Sequence, residues 1–287
     1  MPELPEVETV RRGLARSVTG RYITDMTVAN AKVLRGQSPE TLRERLVGCQ
    51  IRQIDRRGKY LLIRLSSPIC SPEPLTLCIH LKMRGQIAVE SADSEAGKYH
   101  CVTIRVRDAV SGGRACVRFY DAWTWGELRA LYEGEFSTAV PALAKMGPEP
   151  LTDDWTDAVL GAALADRRAA IKPTLLDQNV VAGIGNIYAD EALYRSGINP
   201  TRAAGSLSPD EVSRLTDAVK AILVSAVDGG GTTSDNFADV AGGAGRYVPQ
   251  VYERGGMPCH GCAEPLTRIR LAGRSAVFCA KCQPPTR

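Results

Sequence analysis

No uncharged apolar run in this 287-residue chain approaches the length of a membrane span, which argues against a membrane-embedded helix. The N-terminus lacks the basic-then-apolar pattern of a secretory signal. Its first turn is acidic, so the expected setting is a reducing cytoplasm. Strong charge is missing too. A net charge of +4 and a pI near 8.6 permit a nucleic-acid partner without demanding one. A reducing setting also rules out a disulfide framework for the nine cysteines. Cys49, Cys70, Cys78, Cys101 and Cys116 are scattered and read as small buried hydrophobes, while four others form two pairs near the C-terminus. With 44% hydrophobic and 24% charged residues, the chain is an ordinary globular protein, long enough for two domains and a small appendage.

Periodicity divides the chain. Val7, Val10 and Leu14 recur at helical spacing over residues 6–18, and Gly20 follows. Short alternating runs then read as strands at 22–28, 50–54, 60–65, 75–83, 102–106 and 115–120. The clearest period of two places Leu75, Leu77, Ile79, Leu81 and Met83 on one face. A β-sandwich carrying the N-terminal helix is expected over 2–133, with a proline- and glycine-rich linker at 134–151. From there the period is helical, at 154–165, 171–177 and 186–196. Ser208-Pro209-Asp210-Glu211 forms a capping box that opens a helix reaching about residue 227. Residues 229–245 read as a flexible glycine-rich loop. The fold class is therefore α+β: sandwich, helical domain at 152–248, and a small module at 249–287.

Three stretches carry chemistry in their own right. The first is Pro2-Glu3-Leu4-Pro5-Glu6-Val7-Glu8. Removal of Met1, favoured by the small Pro2, leaves a secondary amine. An α-amine titrates at about 7.7–8.0, well below lysine, so a useful fraction is unprotonated and nucleophilic at neutral pH. A secondary amine yields an iminium that holds its charge without protonation. Neighbouring carboxylates can serve as general acid or base. The same spacing also suits a plain helix start, with proline in the first turn and acids facing the helix dipole. The second stretch is Cys259-x-x-Cys262 followed by Cys279-x-x-Cys282. Its spacing closes a tetrahedral structural zinc site with one ion and no open position for catalysis, and His260 is the less economical ligand. Arg268, Arg270 and Arg274 stand between the pairs, suited to phosphate or to a solvated hairpin face. The third is Gly183-Ile184-Gly185-Asn186, where backbone N–H groups at a helix start can form an anion site or simply a tight turn.

Residues 1–14, Met-Pro-Glu-Leu-Pro-Glu-Val-Glu-Thr-Val-Arg-Arg-Gly-Leu, resemble the N-terminus of the formamidopyrimidine-DNA glycosylases, bacterial enzymes that remove oxidised purines. Residues 171–191 resemble that family's helix–two-turn–helix element, and the motifs follow in family order through to the paired cysteines. The resemblance implies a bifunctional glycosylase and apurinic/apyrimidinic lyase acting on double-stranded DNA with oxidised bases, as a monomer and without redox or nucleotide cofactors. It implies Pro2 as nucleophile, Glu3 as general acid at the sugar-ring oxygen, Glu6 as a supporting group, and Lys59 in Gly58-Lys59-Tyr60 near the flipped nucleotide. It also implies phosphate contacts from Lys172, Asn186 and Arg274, and a loop at 229–245 that folds with Tyr252 over the extruded base. Met83 in His80-Leu81-Lys82-Met83-Arg84-Gly85 matches the side chain that enters the duplex. The partner motif, Asp-Pro-Arg-Arg-Phe-Gly in the family, is Asp121-Ala122-Trp123-Thr124-Trp125-Gly126 here. Trp125 replaces the phenylalanine wedge, and Thr124 stands for the arginine that reads the estranged cytosine, a fork that threonine cannot offer. Arg84 and Trp123 are the candidates to compensate. Two other readings stay open at this point: an endonuclease VIII-like enzyme for oxidised pyrimidines, and a non-catalytic damage-binding zinc protein.

Overall fold

The structure, a computed structural model, describes residues 1–66, 73–233 and 237–285. The chain forms two compact units, Met1–Ala144 with Ser234–Gly245, and Lys145–Thr233 with Arg246–Arg287.

In the first unit, α1 (Leu4–Val18) starts because Glu3 and Glu6 form a reciprocal capping box and Pro5 occupies its first turn. Its apolar face buries Val7, Val10, Leu14 and Val18, each burial stabilising by roughly 1.5–3 kcal/mol. The strands are β1 (Tyr22–Val28), β2 (Gln50–Arg57), β3 (Tyr60–Ser66), β4 (Leu75–His80), β5 (Gln86–Ser91), β6 (His100–Arg107), β7 (Arg114–Tyr120) and β8 (Glu127–Tyr132). Helix α2 (Pro39–Leu46) follows β1, and two short helices, α3 (Phe136–Ala139) and α4 (Pro141–Ala144), follow β8. All pairings are antiparallel in the order β5-β7-β6-β1-β2-β3-β4-β8. Only the Tyr22–Gln50 register joins β1 to β2, so the ladder nearly parts there into two four-stranded halves. Side chains of both halves and of α1 share one core, which is the expected sandwich.

Cys49, Cys78, Cys101 and Cys116 are buried as expected, and Cys70 lies outside the described residues. The segment at 237–245, expected as part of a flexible loop, is anchored. Asp239 Oδ1 accepts the N–H groups of Ala241 and Gly243, and Val240 is buried where a side chain on Gly13 would collide with it. Val89 N–H also donates to the Val240 carbonyl at 2.8 Å.

The second unit holds α5 (Asp157–Leu164), α6 (Ile171–Leu176), α7 (Asn186–Ser196), α8 (Pro209–Asp228) and a hairpin of β9 (Thr267–Leu271) and β10 (Arg274–Phe278). Ser208 and Glu211 cap α8 reciprocally, and Gly197 ends α7 in the left-handed conformation at φ 70°. Ala272 and Gly273 both have positive φ, as a two-residue hairpin turn demands.

Candidate active site and nucleic-acid interface

The capping box fixes the N-terminal carboxylates. Glu3 N–H donates to Glu6 Oε2 at 2.9 Å, and the Glu3 side chain accepts the Glu6 N–H. Glu3 and Glu6 are both buried, so the helix start holds two carboxylates beside Pro2 away from solvent. One turn on, Glu8 accepts from Arg11, Arg12 and Arg56. Burial would raise the Glu8 carboxyl, but these guanidinium groups hold it below its ordinary value. Arg56 also donates to the Gly58 carbonyl at 2.9 Å, and Arg11 donates to the Ile54 carbonyl. Glu8 and its arginines thus lash α1 to the β2–β3 turn, where Gly58 has φ 53° and Lys59 is buried. Pro2, Glu3, Glu6 and Lys59 are therefore carried by two rigidly joined elements.

The turn after β4 carries Met83. Sequence periodicity makes Met83 the end of a buried stripe. The structure ends the strand at His80 and leaves Met83 40% exposed, while Leu75, Leu77, Ile79 and Leu81 are buried. His80 Nδ1 accepts the Lys82 N–H at 2.9 Å, and its ring packs edge-on against Tyr60. Burial, then Lys82 and Lys59, push the His80 pKa down to about 3. An unfolded histidine titrates near about 6.5, so between that value and about 3 the unfolded chain binds the extra proton. Stability from neutral His80 is complete above that window and declines on acidification through it, by up to about 1.4 kcal/mol per pH unit. His80→Asn retains an acceptor and does not titrate. Thermal melts of the variant are expected to show a flatter acid limb; an unchanged limb sinks this assignment.

Asp121 organises the facing turn. It is buried, and its carboxylate accepts Trp123 N–H at 2.9 Å and Gly126 N–H at 2.6 Å. Thr124 adopts φ 55°, and Arg35 donates to the carbonyls of Thr124 and Trp125. Thr124 thus sits at the bend and is only partly exposed; the large exposed side chains are those of Trp123 and Trp125.

In the second unit, Lys172 is 1% exposed. Its ammonium lies 2.8 Å from Asp190 Oδ1 and donates to the Ser275 carbonyl. Asp190 in turn accepts the Val277 N–H at 3.2 Å. Burial raises the Asp190 carboxyl to about 7 against the pull of Lys172. This geometry couples α6 and α7 to β10 through Lys172 and Asp190. Gly183, with φ 84°, gives its N–H to Gln178 Oε1 at 2.8 Å. The anion site expected from Gly183 and Gly185 therefore lacks the first of its donors. Asn186 opens α7 with its Oδ1 buried and unpartnered among the described residues. Arg274 is exposed at the start of β10, paired with Leu271, whereas Arg268 and Arg270 alternate onto the other face of the hairpin.

Glu191, quoted in the sequence only as the end of a motif, is the buried anchor that spacing did not reveal. It accepts Tyr247 OH and Gln250 N–H on one oxygen and the N–H groups of Val251 and Tyr252 on the other, all at 2.8–3.0 Å. It thereby sets the backbone of Tyr252, which is itself partly buried. Glu191→Gln places an NH₂ group against these donors. It is expected to destabilise this unit by about 3 kcal/mol, the loss of one or two charge-assisted bonds. Urea unfolding that matches wild type removes this role.

The four cysteines converge. Their Sγ atoms all lie within 4.8 Å of one another, with Cys262–Cys279 at 3.4 Å and Cys259–Cys282 at 4.0 Å. A tetrahedron with metal–sulfur bonds of about 2.3 Å has edges of roughly 3.8 Å, so the set fits a zinc-sized ion. Gly261 N–H donates to Cys259 Sγ, Cys282 N–H donates to Cys279 Sγ, and Tyr194 OH lies 3.2 Å from Cys259 Sγ. Burial and the three neighbouring sulfurs push the Cys282 thiol up to about 12, and a cation held between the four sulfurs would offset that penalty.

Known proteins share these features. The family model for the formamidopyrimidine-DNA glycosylase N-terminal domain matches residues 1–128, and that for the helix–two-turn–helix domain of the same family matches residues 146–237. A formamidopyrimidine-DNA glycosylase of Desulfitobacterium hafniense is 40% identical over 285 residues, covering 99% of this chain and 100% of its own. That of Geobacter sulfurreducens is 43% identical over 285 residues, with the same coverage. Among solved structures, the Lactococcus lactis Fpg in complex with abasic-site DNA superposes with a TM-score of 0.86 at 30% identity, covering 98% of this chain and 99% of that one. A mutant of the same protein with Fapy-dG-containing DNA gives 0.87 at 30% identity, covering 99% and 100%. The sandwich with its proline–glutamate start, the helix–two-turn–helix unit and the four-cysteine hairpin define a DNA-repair glycosylase architecture. The chain belongs to the formamidopyrimidine-DNA glycosylase family.

Proposed function

We propose that Pro2, freed by loss of Met1, is the nucleophile of this enzyme, a bifunctional DNA glycosylase and apurinic/apyrimidinic lyase that excises oxidised purines. Its amine attacks C1′ of the damaged nucleotide, the glycosidic electron pair leaves with the base, and the proton shed by the amine nitrogen neutralises the departing base. Glu3 protonates the ring oxygen as the sugar opens to the iminium. Glu6 positions Glu3 and carries protons, and Lys59 lies at the nucleotide's phosphate. Successive β- and δ-eliminations then cut the strand on both sides of the lesion. The observation that carries this reading is the buried Glu3–Glu6 capping box directly behind Pro2, on a helix tied through Glu8 and Arg56 to the turn bearing Lys59. Oxidised pyrimidines, the endonuclease VIII-like alternative, give way to this branch, and the intact Pro2-Glu3 pair speaks against a binding-only protein.

Double-stranded DNA is the partner, with Met83 and Trp125 entering the duplex and Asn186, Arg274 and Tyr252 as contacts. For Thr124 and Lys172 the geometry supports positioning: Thr124 bends the tryptophan turn, and Lys172 holds β10 behind Arg274. Cys259, Cys262, Cys279 and Cys282 would hold one zinc ion, which supplies folding energy to the hairpin and no chemistry. The relatives named above are bacterial, which supports a bacterial setting, and no described helix is long and apolar enough to cross a membrane. Borohydride trapping on a duplex containing 8-oxoguanine tests the whole reading. A covalent adduct mapped to Pro2 by mass spectrometry is expected, and an adduct on another residue overturns it.

A further inference from the structure

Two turns of the first unit are locked together. Lys82 Nζ lies 3.0 Å from Glu127 Oε1, and the Arg84 guanidinium lies 5.1 Å from the centre of the Trp123 ring. A side chain on either Gly85 or Gly126 would meet the ring of Phe119, so both turns are packed on one aromatic floor. On this floor stand Met83, Trp123 and Trp125, exposed by 40%, 45% and 53%. The two indoles are 5.0 Å apart and tilted by 58°. The chain's third tryptophan behaves as a core residue should: Trp155 is 4% exposed and its Nε1 donates to the Thr216 carbonyl. Folding therefore does not explain why two large apolar rings are held outward by a clamp of Asp121 on one side and Arg35 on the other.

An enzyme that extrudes a nucleotide leaves a gap in the stack and an unpaired base opposite it. Three exposed apolar side chains on two clamped turns match two tasks, filling the gap and covering the orphaned base. We propose that Trp123, with Arg84 stacked on it, is the specificity-determining residue that meets the base opposite the lesion, and that it does so by stacking instead of hydrogen bonding. This rests on the reading that the Met83–Trp125 face enters the duplex. Every base presents a π-face, so stacking tolerates any sequence. An indole offers a single N–H donor, whereas a bidentate arginine discriminates between bases by roughly tenfold or more. Thr124 offers no fork and lies at the bend. The consequence is excision with little regard for the opposite base.

The test is single-turnover excision of 8-oxoguanine placed opposite C, T, G and A, with the full-length protein. Wild-type rates are expected to agree within about fivefold across the four duplexes. Trp123→Ala slows all four by a similar factor of about ten or more, Trp123→Phe restores them together, and Trp123→Arg creates a preference for cytosine of about tenfold. Arg84→Ala lowers all four rates evenly. A wild-type preference above about fiftyfold for one opposite base overturns the proposal while leaving the excision activity standing. So does a Trp123→Ala variant that slows one duplex alone, or an Arg84→Ala variant that changes the ratio between bases. Failure to excise from every duplex, with no trapped adduct, overturns the proposed function and this inference with it.

Discussion

A protein carrying a non-removable residue ahead of Pro2 is expected to lose borohydride trapping and strand cleavage by at least about a thousandfold, equivalent to roughly 4 kcal/mol of barrier. The reason lies in the nitrogen. While Met1 is attached, the Pro2 nitrogen is part of an amide, its lone pair is delocalised into the carbonyl, and it cannot attack carbon. Released, it becomes a secondary amine with a pKa low enough to be nucleophilic near neutrality. The fold should not notice the change, because the helix cap begins one residue later, with Glu3. Pro2→Gly is expected to fall between the two, since it retains an amine but loses the secondary iminium. Glu3→Gln separates the steps further. At a preformed abasic site the sugar already opens to the aldehyde, so general acid at the ring oxygen matters less. The variant should lose excision of an intact lesion by at least tenfold more than cleavage at an abasic site. Equal losses on both substrates would remove Glu3 from the acid role, and full cleavage by the blocked N-terminus would remove Pro2.

The sequence exposes those features whose chemistry is local. The Pro2–Glu8 run, the two Cys-x-x-Cys pairs, the Ser208–Glu211 box and the helix that ends at Gly197 each depend on neighbours a few residues away, and each appears in the structure at its place. What depends on distant neighbours is harder to read. Strand β8 has a composition that fits a helix as well, and only its ladder to β4 decides. Helix α2 is short, and β5 offers only two inward residues, Ile87 and Val89. Met83 continues a period of two that the backbone abandons after His80. Lys172 looks like a surface cation until Asp190 and the Ser275 carbonyl are brought around it from outside its own helix. Glu191 gives no signal at all, because its four donors come from residues 247–252. The exposed outlook of Trp123 arises from the left-handed Thr124 and the Asp121 clamp, neither of which composition reveals.

The second large effect concerns the cysteine cluster. Cys279→Ser, or removal of metal by a chelator, is expected to weaken binding to lesion-containing duplex DNA by at least about a hundredfold while leaving the N-terminal sandwich folded. The buried core of the hairpin module is small: Val251, Cys259, Leu266, Val277 and Cys279, with Tyr194, Cys262 and Cys282 against it. Ordering a residue costs roughly 1–2 kcal/mol in backbone entropy alone, which so few side chains cannot offset over some thirty residues. A bound metal would supply the difference, at about 10–16 kcal/mol for structural zinc. Once the cluster opens, Gln283 loses its place. Its side chain, fully buried, links the Cys279 N–H to the Ile198 carbonyl, and its carbonyl accepts from Asn199. Lys172 and Asp190 then have no strand to hold, and Arg274 no longer has a fixed position. The slope of log affinity against log salt falls by about 0.9 for every phosphate that the hairpin arginines no longer neutralise. The metal-free protein should therefore bind both more weakly and with a shallower salt dependence. A variant that holds no metal yet binds with wild-type affinity and slope would remove the metal module from DNA binding.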